Sequence, residues 1–150
     1  MKFLLPKRGF TFVEVLVSLG IIGLLIGLAI PFYQTFYLSS QLDNTTSELI
    51  QTLRKAQLKA MASEGDQAFG VRLEQRRFIL FRGFYNPSDS YNEITQLPNT
   101  LTLTSSVGQD VVFNELKGTT FNIGTITISL SGNRSRKISI INQLGTIDVD

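Results

Sequence analysis

The 150-residue sequence contains no cysteine and no histidine. Without cysteine there is no disulfide to support a small domain, so its core must suffice alone or be supported by neighbouring subunits. A lipidated cysteine anchor, thiol catalysis and cysteine-based metal sites are excluded as well. Without histidine, a Ser-His-Asp triad and the common zinc sites are out of reach. No cofactor or metal is implied, and enzymatic function is not expected. Charge is scarce in one region: Phe10 to Ile30 holds a single charged residue, Glu14. The formal charge of +2 comes from the first residues, because Lys2, Lys7 and Arg8 precede Gly9 and the remainder has 11 basic and 12 acidic side chains. From Asp66 onward eight basic residues balance eight acidic ones, which gives no general argument for nucleic acid.

What is present begins with MKFLLPKRG, followed by the 21-residue run FTFVEVLVSLGIIGLLIGLAI. At about 1.5 Å per residue, a helix of that length spans roughly 30 Å, enough for a bilayer core. Basic residues flank only its amino-terminal side, which by the positive-inside rule leaves the amino terminus cytoplasmic and the rest exported. A cleaved secretory signal would have a shorter apolar core ending at a small-x-small site. A plain single-span anchor would account for the hydrophobicity but not for Glu14, since a carboxylate within a span costs about 2.5–3.5 kcal/mol on insertion scales. The alternative for Glu14 is that it snorkels to the interface, close to the start of the helix.

Lys7-Arg8-Gly9 followed by Phe10-Thr11-Phe12-Val13-Glu14 resembles the class III signal of type IV prepilins and type II secretion pseudopilins. The resemblance implies that a prepilin peptidase cuts between Gly9 and Phe10 and methylates the Phe10 amine, and it places Glu14 fifth in the mature chain. Phe12 stands where leucine is commoner. The partners implied are other pilin or pseudopilin subunits, an inner-membrane assembly platform and membrane lipid. Physically, an amine on Phe10 packed near a neighbour's Glu14 would neutralise the buried charge, so the acid would favour assembly and set the axial stagger.

Pro31 lacks a backbone N–H, so a kink or local melting of the helix is expected there, with Gly23 and Gly27 adding flexibility. Beyond it, Leu42, Thr46, Leu49, Leu53, Ala56 and Ala60 alternate spacings of four and three, one face of an amphipathic helix. Ser63-Glu64-Gly65-Asp66 is the expected stop, with Gly65 available for a left-handed cap.

From Gln67 the pattern turns to short β-like runs. Ala68–Glu74 and Arg76–Arg82 suggest a tight hairpin with one turn position between them and a bulge at Gly70. Thr100–Ser106 alternates with period two, Thr125–Leu130 and Lys137–Asn142 flank a turn at SGNRSR, and a last run follows Gly145. Phe84–Pro98 looks like an exposed loop. The expectation is an α+β, pilin-like chain: leader 1–9, transmembrane helix 10–31, amphipathic continuation 32–65, and an exported antiparallel β-domain 66–150.

Leu53-Arg54-Lys55-Ala56 through Ala60, followed by a domain ending in an Ile-x-Ile hairpin, is similar to the GspH/FimT group of minor pilins and pseudopilins. Some of that group bind DNA through a basic carboxy-terminal loop, so Arg134, Arg136 and Lys137 are candidate phosphate contacts. The Gly-Arg-x-Arg type of motif expected there is missing, Gly145 being followed by Thr146, and the alternative is a solvated hairpin turn. Many major pilins close a terminal loop with a disulfide, which favours a minor subunit here, and Glu14 disfavours the pseudopilus tip subunit. Three functions are thus weighed: an assembly subunit, a DNA-binding minor pilin of a competence pilus, and a membrane-anchored enzyme.

Overall fold

The computed structural model describes residues 9–130, 134–140 and 144–149, with backbone only at 29–32 and 149. The leader ahead of Gly9, the Pro31 side chain, the turn residues 131–133 and the end of the Lys137–Asn142 run lie outside the described parts. The chain divides between Tyr37 and Leu38 into two compact units.

One helix, α1 (Phe12–Met61), contributes to both units. Thr11 starts it: the Thr11 hydroxyl oxygen accepts from the Glu14 N–H at 3.3 Å, and the Thr11 carbonyl accepts from the Val15 N–H. This is an N-cap, which satisfies a donor that the first turn cannot pair internally. The early part is apolar all round and long enough to cross a membrane. Its helical assignment is continuous through position 31, without the local melting expected there.

The later part carries the expected stripe, and all six of its members are buried. Thr46 is tolerated among them because its hydroxyl donates to the Leu42 carbonyl at 2.7 Å. The helix ends at Met61. Ser63, Gly65 and Asp66 all take positive φ, so the expected stop falls where the sequence put it, with two non-glycine residues sharing the left-handed turn.

Among the described residues eight strands follow: β1 (Phe69–Glu74), β2 (Arg77–Arg82), β3 (Glu93–Gln96), β4 (Leu101–Ser105), β5 (Asp110–Phe113), β6 (Gly124–Leu130), β7 (Ser135–Ile140) and β8 (Ile147–Val149). They form two four-stranded sheets, ordered β3-β2-β1-β5 and β4-β6-β7-β8, with every pairing antiparallel. Strand alternation sends Val71, Leu80, Leu103, Ile128 and Ile138 into one core with Leu49 and Leu53 of α1. Each such aliphatic side chain contributes roughly 1.5–3 kcal/mol by leaving water.

Four expectations are corrected. Gly70 is no bulge, since it lies in an unbroken register opposite Phe81, with Glu74 opposite Arg77. A Cβ there would meet Phe81 Cζ at 2.6 Å and the Val111 carbonyl oxygen at 2.9 Å, so glycine is required by close approach. The β1–β2 turn has two residues, Gln75 and Arg76. Within Phe84–Pro98, Glu93–Gln96 is strand, Leu97 is buried and Tyr91 packs on the core, because this segment adds an edge strand to β2 and turns both side chains onto the core. Tyr85 meets Phe81 edge-on at 5.6 Å, and the Arg72 guanidinium lies over the Tyr85 ring at 4.2 Å. Finally, β7 begins at Ser135, so Arg136 belongs to a strand and not to a turn.

Candidate functional site

Two places gather the residues singled out in the sequence. At the amino-terminal end of α1, Gly9 and Phe10 precede the helix and are exposed. Phe10 is 80% exposed, and Glu14 stands in the first turn with its side chain on the surface. An acid there complements the unpaired N–H groups and partial positive charge of a helix start. The Ser18 hydroxyl donates to the Glu14 carbonyl at 2.7 Å. Cap and acid together make Thr11-x-x-Glu14 the threonine-to-glutamate spacing of a capping box, a signal visible in the sequence and missed there.

The basic cluster is the second place. Alternation along β7 turns Arg136 to the same face as buried Ile138, towards α1, and Lys137 to the other face. Arg136 Nε donates to Asp43 Oδ1 at 2.8 Å, and this bond raises the guanidinium's already high pKa. Arg134 Nη1 donates to the Ser39 hydroxyl. Ser39, Leu42, Asp43, Arg134, Ser135 and Arg136 line a cavity of about 400 Å³. The three cations therefore do not converge on one surface: two engage α1, and Lys137 faces away from it.

Within the second unit, other contacts tie the helix end to the sheets. Lys59 pairs with Glu64 at 2.7 Å and lies over the rings of Phe69 and Tyr91. The hydrogen bond with Glu64 is the main cause of a raised Lys59 pKa and a lowered Glu64 pKa. Gln57 Nε2 donates to the carbonyls of Gly118 and Leu144, joining α1 to the chain ahead of β8.

A sequence-family model, the prokaryotic N-terminal methylation motif, matches residues 5–30. A comparison with curated protein sequences gives no match. Among solved structures, the chain is similar to the type IV minor pilin FimU of Pseudomonas aeruginosa, at TM-score 0.57 and 19% identity, over 73% of this chain and 92% of that one. It is likewise similar to the minor pseudopilin EpsH of the Vibrio cholerae type 2 secretion system, at TM-score 0.56 and 19% identity, over 73% of this chain and 96% of that one. The chain thus carries a prepilin methylation motif on a pilin-like fold, a long amino-terminal helix followed by a small antiparallel β-domain.

Proposed function

We propose that this chain is a minor pilin or pseudopilin subunit, built into a type IV pilus or a type II secretion pseudopilus after processing by a prepilin peptidase. The observation that carries this is the methylation motif at residues 5–30, heading a helix whose β-domain has the fold of FimU and EpsH. Before assembly the apolar part of α1 lies in the inner membrane, amino terminus cytoplasmic and β-domain exported, held by lipid and delivered to an inner-membrane assembly platform. Cleavage after Gly9 gives Phe10 a free amine, which is then methylated. In the filament, that cation meets the carboxylate of a neighbour's Glu14, so that two charges costly in an apolar core offset one another. Pro31 is the place where the helix adjusts its course during this transfer. The role is structural, with no catalytic step.

A DNA-binding function at Arg134, Arg136 and Lys137 has less support, because two of the three cations are engaged with α1. The main reading is tested by intact mass and amino-terminal analysis of protein extracted from membranes. The expected terminus is N-methylated Phe10; a terminus near residue 30 would mean an ordinary secretory signal and end this account.

A further inference from the structure

In the apolar part of α1 the aromatic residues are segregated. Phe10 and Phe12 stand at its start, none occurs from Val13 to Pro31, and Phe32, Tyr33, Phe36 and Tyr37 follow. The described large hydrophobic side chains between the two groups, from Val13 to Leu28, are all aliphatic and all exposed. The rise from Phe12 to Tyr33 is about 32 Å at helical spacing, against about 30 Å for a bilayer core. Tyr33 is 70% exposed, Phe36 71% and Tyr37 54%. The Tyr33 and Tyr37 rings stack at 6.5 Å with an 18° interplanar angle. Helical geometry puts all three within roughly 100° of arc, with the polar Gln34 about 60° beyond its edge.

Rings with an apolar body and a polar end favour the boundary between acyl chains and headgroups, where both parts are satisfied. Deep hydrocarbon would strip the tyrosine hydroxyls of water, and bulk water would leave the ring faces wet. We infer that Tyr33, Phe36 and Tyr37 form a lipid-binding anchor at the outer headgroup layer, which fixes how far the unassembled subunit stands out of the membrane. The surface is continuous with the membrane span, and its partner is the glycerol and headgroup zone of phospholipid. The inference rests on the proposed membrane residence of α1 and adds its depth and the side chains that set it.

Because the chain has no cysteine, single labels can be introduced cleanly. Leu24→Cys and Gln34→Cys carry a nitroxide on the full chain in vesicles of phosphatidylethanolamine and phosphatidylglycerol. Depth is read from collision with oxygen and with a water-soluble nickel chelate. The expected result puts the label at position 24 in hydrocarbon and the label at 34 at headgroup depth. Replacing the three aromatics together by leucine extends the apolar stretch, and the label at 34 should then sink by roughly one helical turn, about 5 Å. An unchanged depth at 34, with 24 still in hydrocarbon, overturns the anchor and leaves the membrane span standing. A label at 24 in water overturns both. Shielding of 34 that grows with subunit density would show that a second copy covers this face, and would overturn the lipid assignment.

Discussion

Arg136 on β7 and Asp43 on α1 stand 93 residues apart in sequence and 2.8 Å apart in space. The pair joins the carboxy-terminal hairpin to the helix and occupies a cation that the sequence offers as a phosphate contact. Both side chains are about half exposed, so as a stabilising contact the pair is modest. Its bearing on binding is local: Arg136 can meet a phosphate only by leaving Asp43, whose negative charge stays at the site.

The first prediction concerns DNA. Three free cations neutralising three phosphates would give a log–log salt slope of about −3. With Arg134 and Arg136 engaged on α1, the mature chain in detergent should bind duplex DNA weakly or not at all, even at low salt. Fluorescence anisotropy across a salt series measures this. Tight binding with that slope, lost in the triple alanine variant at 134, 136 and 137, would restore the DNA-receptor function. Binding unchanged by the triple variant would move attention to another surface, around Arg72, Arg76, Arg77 and Arg82.

A second prediction follows from the close approach at Gly70. Gly70→Ala forces its methyl against the Phe81 ring and the Val111 carbonyl. The expected loss is about 1–3 kcal/mol, the usual range for overpacking, read as a lower thermal midpoint. Phe81→Leu withdraws only one of the two obstacles. The double variant should therefore be less destabilised than the sum of the singles, yet not restored. Simple additivity would mean that the ring and the added methyl never meet.

The contrast between Gly70 and the helix stripe shows what was legible in the sequence. The stripe from Leu42 to Ala60 needs only its own period, and each of its residues is buried as that period requires. The β1–β2 and β6–β7 pairings were also visible, because alternation and punctuation sit in contiguous residues, but the length of the first turn and the start of β7 were not. By contrast, β3 and β5 are four residues each, too short for alternation to separate them from loop, and only pairing to β2 and β1 defines them. The reason for glycine at 70 lies in Phe81 and Val111, and the fate of Arg136 lies in Asp43. Both depend on partners that no local pattern names. At the amino terminus the Lys-Arg-Gly step and Glu14 were legible, while the Thr11 cap was overlooked although its spacing is local.

A third prediction concerns acid. The hydrogen bond from Arg77, followed by weaker help from Arg72, holds the Glu74 carboxyl below its usual value of 4.5. A carboxylate whose folded value is depressed adds stability in full above its unfolded value and loses it as pH falls through the folded value. Glu74→Gln should therefore melt slightly lower than the parent at neutral pH, and the difference should close below pH 4.5. Thermal unfolding across an acid series reads this. A gap that persists unchanged in acid would assign the effect to packing and not to charge.

The last prediction addresses Glu14, whose carboxylate is costly inside a bilayer and useful only if something there meets it. Glu14→Ala removes an insertion penalty of at most about 2.5–3.5 kcal/mol, the value for a charge at the centre of a span, so membrane entry should be as good as in the parent or better. Alanine is also a strong helix former, and the Thr11 hydroxyl bonds to the backbone N–H at position 14, which the substitution keeps. Cleavage between Gly9 and Phe10 lies outside the altered residue and should proceed. What is lost is the partner for a neighbour's Phe10 amine. The variant should therefore accumulate in the membrane as processed protein and be depleted from sheared filaments, while Glu14→Asp, retaining the charge on a shorter arm, should recover part of the assembly. Quantifying processed subunit in membrane and filament fractions separates these outcomes. Equal incorporation of Glu14→Ala and the parent would remove Glu14 from the assembly mechanism, and unprocessed precursor would place the residue in recognition by the peptidase instead.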